Sequence, residues 1–244
     1  MIAVGLAIFC AVVITIYVSI DSIIIDTVET EGSEIAQTKV SLQEADFTTS
    51  TGLTTLVQMK VENPKGFQSK HAFSFDKIEV WVDPETLADD VLHIKSMVLI
   101  APEIVYEFAN SADNLGILKR YVENSAAKAA AQTVPAKRVI VDNFYVKNGI
   151  VVVNAEELRG ERKTAKIADI HLRNIGKDEN GLLPAELVYQ LLLPVLRETT
   201  VAALNTDLSL SDLTRNLING AAGLLDDASE ETQKAIKKLK GFLK

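Results

Sequence analysis

The stretch VENPKGFQS, Val61–Ser69, lies between two segments that alternate like β-strands and contains the only Asn-Pro pair in the chain. Asn63 can hydrogen-bond to its own backbone, Pro64 fixes φ, and Gly66 can take a left-handed conformation. Phe67 then returns an apolar side chain toward the sheet. These features predict a tight turn at a corner of a β-rich body.

Strand-like alternation continues on both sides of this turn. One face of the preceding strand is predicted to carry Leu53, Thr55, Val57, Met59 and Val61. A later and longer strand keeps one parity at Ile94, Val98, Ile100, Pro102, Ile104, Tyr106 and Phe108. Because Pro102 has no N–H, it predicts a bend or an edge position within that strand.

The segment between these strands changes face within its length. Phe73 and Phe75 hold odd positions, whereas Ile78 and Val80 hold even positions. We therefore predict a β-bulge near Asp76. The same change occurs in the segment VSLQEADF, and repeated bulges would curve the sheet.

Further strands and helices follow in the second half of the chain. The Asn-Gly pair at 148–149 lies between two apolar runs and predicts a two-residue hairpin. Ser111 is placed to cap one helix, and Leu183–Leu204 reads as a longer apolar helix. The order of these elements predicts an α+β fold, with an N-terminal transmembrane helix, a curved and mainly antiparallel sheet, and interspersed and C-terminal helices.

The N-terminus is apolar enough to cross a membrane. Ile2–Ile20 has no formal charge, and its length corresponds to roughly 28 Å of helix, about the hydrocarbon thickness of a bilayer. A cleaved signal peptide is the alternative, but the run is longer than a usual signal core, and YVSID has no small-x-small cleavage site. Because the next flank is acidic up to Lys39, we expect an uncleaved anchor with the body translocated.

These features divide the chain into three predicted parts. Residues 1–25 form the anchor and residues 26–180 form the β-rich body. Residues 181–244 form a helical segment that packs on the body or on the membrane surface. In its last helix a basic face surrounds an apolar one, and the membrane-surface candidates are Lys234, Lys237, Lys238, Lys240 and Phe242.

Composition argues against several classes of function. The formal net charge of −8 and the pI near 5.0 disfavour nucleic acid as a partner. His71, His93 and His171 are far apart in sequence, and Cys10 is the single cysteine, so no metal pair is predicted. Because the chain also lacks a glycine-rich phosphate loop and a nucleophile elbow, we predict no catalytic site and no cofactor.

Taken together, several segments resemble the AsmA family of bacterial envelope proteins. The resemblance spans roughly Val40 to Leu172 together with the anchor. It is carried by VENPKGF, by FSFDKIEVWVDPETL and LHIKSMVLIAPEIVYE, by the Asn114-Leu115 pair, and by the valine-rich strand after Asn148-Gly149.

The resemblance implies a single-pass protein of the inner membrane of a Gram-negative bacterium, with its body in the periplasm. It also implies a role in envelope biogenesis through lipid handling in a hydrophobic β-groove, with a phospholipid as ligand. The groove candidates are Val57, Met59, Val98, Ile100, Ile104, Tyr106 and Phe108.

A non-enzymatic role as an accessory subunit of a larger inner-membrane complex, or as a homo-oligomer, is the alternative. In that interpretation the chain's own helices, chiefly Leu183–Leu204, fill the apolar sheet face. A sheet of six to eight strands would span only about 30 to 40 Å. Any lipid role would therefore be local or would need oligomers.

Overall fold

The computed structural model describes residues 20–109, 112–132, 137–155, 162–204 and 206. These residues form an α+β fold in which one mixed, open sheet packs against helices, so the predicted fold class is confirmed at that level. The helices are α1 (20–36), α2 (Asn114–Ala130) and α3 (Pro184–Leu204). The strands are β1 (Val40–Ser41), β2 (Glu44–Thr48), β3 (Leu53–Glu62), β4 (His71–Val82), β5 (Val91–Ile100), β6 (Glu103–Ala109), β7 (Ala112–Asp113), β8 (Arg138–Lys147), β9 (Ile150–Ala155), β10 (Lys163–Lys166) and β11 (Ile170–Ile175).

Four of the described strands are halves of two longer segments. β5 continues into β6 after two residues, and β8 continues into β9 after two. β8 runs parallel to β5 and β9 runs parallel to β6 in one unbroken register, from Val91 opposite Arg138 to Phe108 opposite Ala155. The two long segments thus lie side by side and point the same way. Eight of the ten pairings between the described strands are antiparallel and two are parallel, so the sheet is mainly antiparallel, as predicted, with two parallel pairings that the sequence did not predict.

The predicted hairpin at 148–149 is wrong. A type I′ turn needs positive φ at both central residues, and of this pair only Asn148 has one, at 57°. Gly149 instead permits a close approach, since a Cβ there would lie 3.2 Å from Cγ of Pro102. The pair therefore bends the strand without reversing it.

In β3, in β4 and in the two long segments, the side chains change face at the same level of the sheet. The registers on either side of this level place Gln58 opposite Asp76, Asp76 opposite Ala101, and Ala101 opposite Asn148. Gln58, Ala101 and Asn148 all have left-handed backbones, with φ of 51°, 48° and 57°. We call this row of four residues the kink line. Across this row the buried positions change parity in each of its strands.

The kink line explains the change of parity within the strands. Phe75 before it and Ile78 after it are both buried in β4, which confirms the predicted change of face near Asp76. The cause differs from the predicted bulge. The partner strand changes face at the same level, so Val57 still pairs with Lys77 and Met59 with Phe75, and no extra residue is inserted.

Two of the three described helices, α2 and α3, lie close to their predicted positions. α3 matches the predicted apolar helix, and among the described helices it alone is long and apolar enough to cross a membrane. Because Val195, Leu196 and Ala203 are buried in the core, we interpret it as a core helix. α2 begins at Asn114 and is capped by Asp113, whose Oδ1 accepts a hydrogen bond from the Gly116 N–H at 2.6 Å. That cap replaces the one predicted at Ser111, which lies outside the described residues.

Side chains of α1 form hydrogen bonds with the edge of the sheet at β1 and β2. Asp21 Oδ1 accepts from the Phe47 N–H at 3.1 Å, and Glu29 Oε1 accepts from the Leu42 N–H at 2.8 Å. Edge strands expose such unpaired N–H groups, so α1 caps this edge. The helix crosses the predicted boundary between residues 25 and 26. The predicted anchor Ile2–Ile20, except for its last residue, and the predicted basic helix near the C-terminus lie outside the described residues.

Candidate functional site

The sheet has two faces that differ in what lies against them. The covered face carries buried side chains such as Ile104, Tyr106 and Phe144, which belong to the core cluster formed with the helices. The outer face is the opposite one, and it carries Val57, Trp81, Val98, Ile100 and Tyr145. These side chains alternate with core residues along their strands and are half-buried.

The seven groove candidates do not share a face, so the predicted groove is corrected. Val57, Val98 and Ile100 lie on the outer face. Met59, Ile104, Tyr106 and Phe108 belong to the covered face. Gln58 and Ala101 separate the two groups along their strands, and the left-handed residue at each position changes the parity of the strand. Choosing every second residue across the kink line therefore selects side chains that point to opposite faces of the sheet.

The outer face before the kink line is apolar and aromatic in its middle. The register places Val98 between Glu79 and Tyr145 on neighbouring strands. The Tyr145 ring stacks on His171 with centroids 4.2 Å apart, and Lys147 Nζ lies 5.1 Å from the Tyr145 ring centroid. Charged groups also lie within this area, because Glu79 is beside Val98 and its salt-bridge partner Lys77 is beside Ile100. This part of the outer face can therefore contact an apolar chain and charged groups together.

The VENPKGFQS turn folds over the other end of the outer face. Asn114 is fully buried, and its Nδ2 donates to Asn63 Oδ1 at 2.7 Å and to the Val105 carbonyl at 2.8 Å. Asn114 Oδ1 accepts from the Glu107 N–H at 2.9 Å. The two asparagines of the family resemblance are thus in direct contact and hold the turn against the start of α2.

Glu107 fixes the same turn from the sheet side. Its buried carboxylate accepts hydrogen bonds from the backbone N–H groups of Gln68, at 2.5 Å, and Ser69, at 2.8 Å. Asn154 Nδ2 on the next strand donates to Ser69 Oγ at 2.9 Å. Charge-assisted bonds of this kind are among the stronger ones in proteins, so the turn is positioned rigidly above the sheet.

A cavity of about 280 Å³ opens beside this turn on the outer face. It is lined by Lys60, Ser69, Lys70, His71, Phe73, Ser74, Glu103, Val105, Val152, Asn154 and Arg162. Burial and the nearby charges of Lys60 and Lys70 lower the pKa of His71, although Glu62 acts in the opposite direction. Because His71 favours its neutral form, the positive charge of the cavity comes from the lysines and the arginine.

Sequence reasoning did not find this cavity. Its basic residues are scattered between residues 60 and 162 and form no run in the sequence. The alternation of side chains could have placed Lys60 and Ser74 on one face of the sheet. The parallel pairing of β9 with β6 brings Val152 and Asn154 to the cavity, and nothing in the local sequence predicts that pairing. No group of three or more potential metal ligands occurs among the described residues.

The chain matches no protein-family model and no curated protein sequence.

Proposed function

We propose that the protein is an AsmA-like envelope protein that holds an amphipathic lipid against the outer face of its sheet. In this proposal the chain is anchored in the inner membrane of a Gram-negative bacterium, its body lies in the periplasm, and it performs no catalysis. The observation that carries the proposal is the half-buried apolar surface of the outer face next to a cationic cavity.

The apolar side chains on the outer face are unfavourable in contact with water. Trp81, Val98 and Ile100 occupy neighbouring strands of the outer face, whereas the described helices pack into the core on the other side. An apolar area that stays on the surface of a protein commonly marks an interaction site. An acyl chain would remove this area from water and would be favoured by about 25 cal/mol for each Å² that it buries.

The contact between Asn63 and Asn114 supports the family part of the proposal. These residues come from separate motifs of the resemblance and meet at 2.7 Å. A motif pair that assembles one buried polar network has a structural reason to occur together.

The test compares lipid bound by the full-length protein and by two variants after purification in a nonionic detergent. Val98→Asp places a charge in the middle of the outer face, and Lys177→Gln changes an exposed charge in the turn before α3. Lipid around a membrane anchor is common to both variants, so their difference reports the outer face. We expect mass spectrometry to find less phospholipid in Val98→Asp than in Lys177→Gln. Equal amounts would contradict lipid binding on this face.

The accessory-subunit function is a second candidate, and one observation favours it. Met59, Ile104, Tyr106 and Phe108 pack in the core with residues of α2 and α3, so the chain fills part of its own apolar surface. This function predicts that the full-length protein isolates with a stoichiometric protein partner from the envelope. Isolation of the protein with phospholipid but without such a partner would contradict it.

A further inference from the structure

The cavity beside the VENPKGFQS turn concentrates positive charge in an acidic protein. The formal net charge of the chain is −8, yet Lys60, Lys70 and Arg162 line this cavity. Glu103 is the one carboxylate among its described lining residues. Three cations and one carboxylate leave an excess of two positive charges, which suits a dianion.

The lining also supplies neutral hydrogen-bond donors. Ser69 Oγ already accepts from Asn154 Nδ2 at 2.9 Å, so the hydroxyl proton of Ser69 can donate to another acceptor. The hydroxyl of Ser74 lines the same cavity. Lysine and arginine groups combined with hydroxyl donors are the usual contacts of phosphate oxygens.

The backbone of Ser69 and Lys70 is held in place by hydrogen bonds within the protein. The Ser69 N–H is held by Glu107 at 2.8 Å, and the Lys70 carbonyl accepts from the Asn63 N–H at 3.1 Å. A preformed site loses less conformational entropy on binding than a flexible one. The network around the turn thus serves to build one wall of the cavity.

His71 contributes a ring nitrogen without a described partner to the lining of the cavity. Its Nδ1 atom is buried and has no hydrogen-bond partner among the described residues. Buried polar side-chain atoms are normally paired. A bound acidic group in the cavity would favour the protonated ring and would give this nitrogen a charged neighbour.

We infer that this cavity binds a phosphate group through Lys60, Lys70 and Arg162. The phosphate can belong to a phospholipid headgroup or to a small soluble phosphate compound, because both present the same oxygens. The headgroup version rests on the proposed lipid function, whereas binding of free phosphate does not.

The first experiment tests the anion site alone. Inorganic phosphate is titrated into the full-length protein in nonionic detergent, and binding is measured by calorimetry at low ionic strength. We compare the wild type with the double variant Lys60→Gln/Arg162→Gln and with Lys177→Gln, which removes one exposed charge far from the cavity. We expect the double variant to bind at least about tenfold more weakly, because two charge-assisted contacts are lost, and Lys177→Gln to match the wild type. Equal affinity in the double variant and the wild type, or no binding to the wild type, would overturn the inference.

The second experiment separates the two sources of phosphate. A water-soluble short-chain phosphatidic acid is compared with inorganic phosphate and with the matching diacylglycerol. Tighter binding of the phosphatidic acid than of both others supports a headgroup site. Equal binding of phosphatidic acid and inorganic phosphate supports a site for soluble phosphate and counts against the lipid proposal only. Equal binding of diacylglycerol and phosphatidic acid would contradict a role for the phosphate group.

Discussion

Apolar side chains lie on both the covered and the outer face of the sheet, but they differ in what surrounds them. Ile104 is fully buried on the covered face, whereas Ile100 is half-buried on the outer face, four residues earlier in the same long strand. Between them Ala101 has a φ of 48° and breaks the strand. The comparison shows that the kink line, and not residue type, decides which apolar side chains form the core.

Each functional hypothesis depends on a different face of the sheet. Side chains on the covered face pack against the chain's own helices, as the accessory-subunit hypothesis requires. Side chains on the outer face remain available to a ligand, as lipid handling requires. Variants that separate the faces therefore test both hypotheses at once.

The largest expected effect comes from the matched pair Ile104→Ala and Ile100→Ala. Truncation at the fully buried Ile104 should lower the free energy of unfolding by about 3 to 5 kcal/mol, because it removes apolar contacts and leaves a cavity. The same truncation at Ile100 should cost about 1 kcal/mol. Chemical denaturation of both variants measures the difference. Equal losses would mean that the outer face is packed as tightly as the covered face.

The second effect concerns the polar network under the turn. Asn114→Ala leaves the Glu107 N–H, the Val105 carbonyl and Asn63 without this partner, and we expect it to cost about 3 kcal/mol of unfolding free energy. The control is Asn143→Ala, where the amide contacts the Lys95 carbonyl at 3.3 Å in an exposed position. Denaturation midpoints that shift by the same amount in both variants would contradict the structural role of Asn114.

The sequence predicts the residues of this network better than it predicts their contacts. The turn at Asn63-Pro64 and the helix starting near Asn114 were expected from local chemistry, because turn and capping preferences act over a few residues. The hydrogen bond between them spans 51 residues. It depends on the sheet order, which no local preference fixes.

The same distinction explains the errors at the kink line. Alternation predicted the change of face near Asp76, since Phe75 and Ile78 lie close in sequence. It could not show that Gln58 and Ala101 break at the same level, because that level is set by pairing across strands. The Asn148-Gly149 pair predicts a hairpin from the sequence alone, because the local signal for a positive φ does not specify whether a strand continues or reverses.

A smaller effect is expected at the kink line itself. Ala101→Gly should raise the free energy of unfolding by up to about 1 kcal/mol, because glycine adopts positive φ without the steric cost that alanine bears. Ala165→Gly in β10 has no such gain and should lower it by about 0.5 to 1 kcal/mol. Thermal unfolding of the two variants checks the opposite signs. A loss of stability in Ala101→Gly equal to that in Ala165→Gly would contradict a left-handed residue at position 101.

The smallest effect is a pH dependence from His71 on the outer face. Its pKa is lowered in the folded protein by burial and by the charges of Lys60 and Lys70, so the unfolded chain takes up the proton first as the pH falls. Stability should therefore decrease as the pH falls from about 6.5, the usual value for histidine, toward the lower folded pKa. We expect His71→Gln to remove this part of the pH dependence, as measured by unfolding at several pH values. An unchanged pH profile in the variant would contradict the assignment.

The most direct test of lipid binding on the outer face is photo-crosslinking from that face in intact cells. A photoreactive phenylalanine analogue replaces Tyr145, which lies on the outer face, or Tyr121 on α2, which packs against the core. After irradiation, the purified full-length protein is analysed by mass spectrometry. Lipid binding on the outer face predicts a phospholipid adduct at position 145 and none at position 121. Equal lipid adducts at both positions, or a protein adduct without lipid at position 145, would contradict lipid binding on the outer face.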